Sequence, residues 1–246
     1  MRINKFMKIF KYILILVVLG VAVYFIFQSK IFKNGDTVVD GDKLGIELCF
    51  AKFTPPNSNS LYDKYTLRLK MTGEEAVGEL RLVPGEKDSK VGLFEGTVSA
   101  VDKQMMARTA SLWWDTFAEG MNVKEELKIV FGEGIANIGF GEMVDRGDGV
   151  YIYKDPTSIA YNLELTDMSC EDLTVRENVE KYLRGNIVTL SPVQASMGGT
   201  WYVLSMTIDL PKKSGAVVYE DGHTEERRNF TYTINSNQEV ESLKIE

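Results

Sequence analysis

The chain has one histidine, His223, and two cysteines, Cys49 and Cys170, in 246 residues. The shortage of histidine narrows the catalytic options, because a Ser-His-Asp or Cys-His mechanism needs an imidazole to carry the proton and would have to use His223. That residue follows Asp221-Gly222, a strong hairpin-turn signal, and turns are usually solvated. No GxSxG elbow or HExxH helix is written anywhere in the chain. The shortage of cysteine removes the usual zinc frameworks, since no CxxC pair brings two thiolates to one ion, and neither metal nor cofactor is expected. Acidic residues are absent from positions 1 to 33, which hold six basic ones, whereas the rest of the chain carries 22 basic against 35 acidic side chains. So acidic a body excludes nucleic acid as a partner, because that affinity is built from clustered Lys and Arg.

What the N-terminus does have is a long apolar run. Tyr12 to Phe27, "YILILVVLGVAVYFIF", carries no charge, and with Ile9 and Phe10 across Lys11 it reaches about the 20 positions that cross a bilayer core. Arg2, Lys5, Lys8 and Lys11 precede it and only Lys30 and Lys33 follow closely, so the positive-inside rule predicts a cytoplasmic N-terminus and an extracytoplasmic body. Gly20-Val21-Ala22 offers an alternative, a signal-peptide cleavage site, but cleavage there would leave Val23 to Phe27 on the mature N-terminus, so a retained anchor is preferred. The reading for residues 1–33 is a basic cytoplasmic tip and transmembrane anchor, followed by a linker over 34–44.

In an oxidising compartment Cys49 and Cys170 are expected to pair, with two separate buried thiols as the alternative. A bridge would join "GIELCFAKF" to "LELTDMSCED", the first strand and the end of a domain spanning 45–170. A cysteine in the first strand paired with one near the domain end is similar to the arrangement in small envelope β-barrel inhibitors. The similarity spans residues 45–172 and carries over no site residue.

Alternation of apolar and polar residues over "DKYTLRLKMTG", "AVGELRLVPG" and "KVGLFEGTVSAVD" predicts half-buried strands joined by Gly-rich turns. Met106, Ala110, Trp113, Phe117 and Met121 recur at spacings of 4, 3, 4 and 4, which predicts a helical insertion near 103–126 with Gly120 as its stop. Asn122 and Glu125 have the spacing of a second helix start. "LKIVFGEG", "IANIGFGEM", "GVYIYKD" and "AYNLELTD" complete a mainly-β domain, a barrel or a strongly bent antiparallel sheet. Residues 171–246 read as a small α+β domain: a helix with Thr174 and Glu177 as capping box, Val175, Val179, Tyr182 and Leu183 as apolar stripe and Gly185 as stop, laid on a meander of four strands.

On the predicted helix of the first domain, Ser111, Asp115 and Glu119 share the face away from Phe117. Asp115 and Glu119 form a weak candidate acid/base pair, since glycosidic chemistry needs two carboxylates several ångströms apart, but the solvated polar face of an amphipathic helix explains them with nothing left over and is preferred. Trp114 falls beside the stripe, either as an edge-of-core residue or as an exposed recognition residue. "DRGDG" places Arg146 and Asp148 in a glycine turn whose spacing does not suit a calcium loop but which contains an Arg-Gly-Asp tripeptide. The expected function is a non-catalytic, membrane-anchored binding protein on the outer side of a bacterial-type envelope, taking a protein or other envelope ligand, with the bilayer engaged through Tyr12 to Phe27. A carboxylate-based envelope hydrolase and a lipocalin-like small-molecule carrier are the alternatives.

Overall fold

The computed structural model describes residues 45–246, apart from Glu119 and the side chain of Met197. The anchor expected over Tyr12 to Phe27 and the linker over 34–44 lie outside the described residues. Among the described residues no helix is long and apolar enough to cross a membrane.

Ten strands form the first sheet: β1 (Ile46–Phe53), β2 (Lys64–Thr72), β3 (Glu75–Val83), β4 (Lys90–Val98), β5 (Arg108–Ala118), β6 (Met121–Gly132), β7 (Ile135–Phe140), β8 (Met143–Asp145), β9 (Val150–Tyr153) and β10 (Ala160–Met168). Each of β1 to β6 pairs with the next, β6 pairs with β7, β7 with β10 and β10 with β1, so eight antiparallel strands close a barrel. Closure leaves no open sheet edge in this ring. The hairpin β8–β9 is inserted before the last strand, and β9 runs parallel to β6 at Lys124 and Glu125, beyond the stretch of β6 that β7 covers.

Side chains of period two fill the barrel. Leu67, Leu69 and Met71 of β2 face inward while Arg68 and Lys70 face outward, and one transverse row runs Leu69, Gly78, Phe94, Trp114, Glu125. Gly78 is where it is because a Cβ there would collide with the Phe94 ring and the Arg68 backbone, so a small position next to a large one lets the row fit. Leu67, Leu69, Leu80 and Ile129 are fully buried, each contributing about 1.5–3 kcal/mol relative to exposure. The interior is therefore a packed core extending over Phe50, Phe94, Leu112, Trp114, Phe131 and Leu165.

The helical insertion expected near 103–126 is instead the hairpin β5–β6, paired from Arg108↔Phe131 to Ala118↔Met121 around a tight turn in which Gly120 has φ 77°. Ala110, Leu112, Trp114 and Thr116 point inward at period two, so the spacing of Met106, Ala110, Trp113, Phe117 and Met121 does not mark one buried face: Met106, Phe117 and Met121 are exposed. Asn122 and Glu125 start no helix, for both lie within β6. Barrel closure decides the conformation, because β5 and β6 supply the pairs between β4 and β7 without which backbone groups of those strands would lack partners.

The helix α1 (Cys170–Leu190) begins earlier than Thr174. Ser169 is its N-cap, accepting from the Asp172 N–H, and Glu171 and Asp172 supply negative charge to the first turn. Thr174 and Glu177 sit inside the helix, donating to the Cys170 carbonyl and pairing with Arg68 respectively. Gly185 does not stop it, because the position is open and the helix continues to a cap at Ser191, whose N–H donates to the Ile187 carbonyl. Val175, Val179, Leu183 and Ile187 face a second antiparallel sheet, β11 (Tyr202–Asp209), β12 (Ser214–Glu220), β13 (Glu225–Ile234) and β14 (Val240–Ile245), and share a core with Trp201, Tyr219 and Phe230. Toward the barrel, α1 places Arg176 over the Phe53 ring at 3.7 Å and Glu180 2.9 Å from Lys64. Burial alone would raise the Glu180 pKa, but the Lys64 ammonium and Arg184 guanidinium outweigh it and hold the carboxyl low.

Asp221 organises the β12–β13 turn by accepting backbone N–H groups from Ser196, His223 and Thr224. The Ser196 amide, followed by the other two, pulls its pKa down to about 2. A depressed carboxyl pKa contributes stability above the unfolded value of 3.8 and loses it as pH falls toward about 2. Asp221→Asn therefore flattens the acid limb of the stability curve in that window, and unfolding midpoints measured from pH 5 to pH 2 that track the unsubstituted protein would contradict this assignment.

Candidate functional site

Cys49 and Cys170 form a disulfide, with Cα atoms 5.2 Å apart, that ties β1 to the first residue of α1. Glu47 lies close by, but both sulfurs are consumed by the bridge and offer no thiolate to a metal.

The outer wall of β3, β4 and β5 exposes a set of apolar side chains. Val77, Leu93 and Phe117 are 50%, 67% and 56% exposed. Leu93 lies opposite Glu79 on one side and Asp115 on the other, while Val77 lies opposite Glu95 and Phe117 opposite Val91, so the three step diagonally across adjacent strands. A groove of about 580 Å³ runs along this wall, lined by Arg68, Val77, Glu79, Leu93, Glu95 and Asp115. Glu95 and Asp115 are open to solvent, with Lys124 between Asp115 at 3.6 Å and Glu95 at 3.9 Å, whereas Glu79 is half-buried and paired with Arg81 at 3.2 Å. Asp115 is thus a surface carboxylate on a strand and not on a helix face, and Glu119 lies outside the described residues.

Of the two adjacent tryptophans of β5, Trp113 faces the outer surface and Trp114 faces the barrel interior, 3% exposed. Trp114 is therefore not a surface recognition residue. Arg146 and Asp148 lie in the β8–β9 turn, paired with each other, and the Arg146 guanidinium stands 5.7 Å from the Trp113 ring centroid. That hydrogen bond holds the Asp148 carboxyl below its ordinary pKa. Asp145 accepts from the Gly147 and Gly149 N–H groups, a turn-forming role.

The second feature, which hydropathy misses, is the mouth of the barrel bordered by β4, β5, β6 and β9. Lys90 and Glu125 both point inward, with Lys90 Nζ 2.5 Å and 2.6 Å from the two Glu125 carboxylate oxygens and 5.2 Å from the Trp114 ring centroid. Tyr153 of β9 is buried beside them and donates to the Gly139 carbonyl at 3.0 Å, and burial pushes its pKa up to about 12. A cavity of about 160 Å³ lies between these groups and Leu82, Ile138, Phe140 and Met143. Polar residues in strands otherwise written as core-facing were the only signal in the sequence: Lys90 and Glu125 occupy the inward positions of β4 and β6. Comparison with known proteins finds no matching family model, no matching curated protein and no matching solved structure.

Proposed function

We propose that the chain is a non-catalytic binding protein of a bacterial-type cell envelope, anchored by its N-terminal apolar segment, that displays residues 45–246 outside the cytoplasm and binds a protein ligand on the outer wall of β3–β5. The observation that carries the reading is the joint exposure of Val77, Leu93 and Phe117, since neighbouring apolar side chains on a barrel wall incur hydration that a partner relieves. The exposed carboxylates of Glu95 and Asp115 beside them, which share the one cation of Lys124, favour a partner with apolar anchors flanked by Lys or Arg. A disulfide is in keeping with an oxidising compartment, and the basic residues before Tyr12 with the orientation. The carrier reading has less support, because side chains fill the barrel where a lipocalin-like ligand would lie. The hydrolase reading loses its geometric basis with the helix that was to present Asp115.

Photo-crosslinking of the full chain in its membrane tests this. A photoreactive residue at position 93 or 117 is expected to give one discrete protein adduct, absent when the probe is at the exposed Glu164 on β10, and Leu93→Asp should weaken capture from position 117 by about tenfold or more, one buried leucine being worth about 1.5–3 kcal/mol. Equal labelling at 93, 117 and 164, or capture indifferent to Leu93→Asp, would refute the wall as the binding surface.

A further inference from the structure

We propose that the β4–β5 loop, residues 99–107, inserts into the lipid headgroup layer of the membrane that anchors the chain, with Val101, Met105 and Met106 as its apolar anchors. The inference rests on the anchored reading and is independent of the outer wall. Val101, Met105 and Met106 are 53%, 60% and 55% exposed, a concentration of hydrated apolar surface in one short loop that contact with an apolar phase relieves. The loop is held by polar contacts and does not need to bury them. The Asp102 N–H donates to the Ala107 carbonyl at 2.8 Å, the Asp102 carboxylate accepts from the Gln104 and Met105 N–H groups, and Arg108 Nε donates to the Ser99 carbonyl at 2.7 Å. Met106 sits at φ 49°, in the left-handed region that favours glycine, so its side chain is held out at a backbone cost. Asp102 spends its carboxylate inside the loop, and Lys103 is exposed beside the apolar residues.

Strand direction puts this loop at the end of the barrel where the chain enters. β1 begins at Ile46 opposite Met71 near the end of β2, and β3 begins, β4 ends and β5 begins at that same end. Arg108, at the base of the loop, donates to the Met71 sulfur at 3.6 Å, and Ile46 beside Met71 is 57% exposed. The second sheet is held at the opposite end, where Ser60 of the β1–β2 loop donates to Glu225 at 3.3 Å and Lys64, the first residue of β2, pairs with Glu180. Residues 28–44, 17 in number, separate Phe27 from Gly45, a span of at most about 60 Å. The loop therefore meets the bilayer within its own molecule, and a contact too weak to hold two separate bodies is populated by the tether. The neighbouring turns of this end are polar, with Glu74 and Glu133 exposed. Their carboxylates disfavour anionic headgroups, so the contact is confined to the loop and is apolar in origin, while the Lys103 stem is long enough to return its ammonium to the headgroups.

The test uses the full chain reconstituted in phosphatidylcholine vesicles that carry a lipid spin-labelled near the top of its acyl chain. Both native cysteines are occupied by the bridge, so Gln104→Cys accepts a nitrobenzoxadiazole fluorophore on the loop and Ser58→Cys accepts one at the opposite end of the barrel. Retention of the chain on the vesicles through alkaline carbonate reports the anchor separately. The expected result is a retained chain in which the probe at 104 is blue-shifted and quenched by the spin label, as for a group about 5–10 Å deep in the interface, while the probe at 58 is neither. Quenching at 104 should persist at high salt. Met105→Asp with Met106→Asp, both exposed and with aspartate tolerant of positive φ, should reduce quenching at 104 to the level at 58. A retained chain whose probe at 104 is quenched no more than that at 58 overturns the proposal and leaves the loop to a protein partner or a second copy. A chain released by carbonate overturns the anchored reading and the proposal with it. The comparison of 104 with 58 is made with Val101, Met105 and Met106 in place and stands whether or not the aspartate variant folds.

Discussion

Replacing Cys49 and Cys170 together with serine lowers the stability of the chain by about 4–5 kcal/mol, the chain-entropy figure for a loop of this length. The bridge joins positions 121 apart, so its removal releases a long stretch of the unfolded chain while the folded state keeps other ties between the same elements. Lys64 still pairs with Glu180, Arg68 with Glu177, and Arg176 still stacks on Phe53, so α1 stays docked against β1 and β2. The loss should therefore appear in equilibrium denaturation as a lower midpoint, with the near-ultraviolet spectrum of the folded state preserved. A change below about 1 kcal/mol would mean that the unfolded chain is already restrained by residual structure, and that the bridge adds little to stability.

Most of the strands were legible because alternation is a direct consequence of a half-buried sheet. In "KVGLFEGTVSAVD", alternation separates Phe94 and Val98 from Val91, Leu93, Glu95 and Thr97 without saying which set is buried, and closure of the barrel turns Phe94 and Val98 inward. The mainly-β domain, read as a barrel or a strongly bent sheet, the second sheet and the Val175–Val179–Leu183 stripe of α1 follow from the same reasoning by periodicity, and the cysteine pairing from an even pair expected in an oxidising compartment. Two classes of feature did not follow. Helix ends depend on which of several caps the packing selects, and Ser169 is selected over Thr174 because Cys170 is already helical where it is bridged to β1. The mouth depends on inward Lys90 and Glu125, which hydropathy assigns to solvent; only the register across β4, β5 and β6 brings them together over Trp114. The wall belongs to the second class as well, because Phe117 reads as part of a helical apolar stripe and Leu93 belongs to a strand with apolar residues on both faces, so closure of the barrel decides that they lie outside.

The stretch "TASLWWDTFA" shows how a local ambiguity becomes a measurable one. A 3.6-residue period groups Ala110, Trp113 and Phe117 and leaves Trp114 at the margin, whereas a period of two groups Ala110, Leu112 and Trp114 and puts Trp113 and Phe117 outside. The two periods therefore reverse the ranking of adjacent tryptophans. With Trp114 inside, Trp114→Ala removes a large ring from the row between Phe94 and Glu125, takes away the surface beneath Lys90, and should cost about 3–5 kcal/mol. Trp113→Ala removes a half-buried ring and its contact with Arg146, and should cost about 1 kcal/mol, within the range of an exposed cation–π pair. Because the residues are neighbours of identical chemistry, differences in helix or strand propensity nearly cancel, and the gap between the two losses reports the direction of each side chain. Denaturant titration of the two variants that gave equal losses, or the larger loss at Trp113, would be incompatible with β5 as the barrel strand described and would return this segment to a helical arrangement.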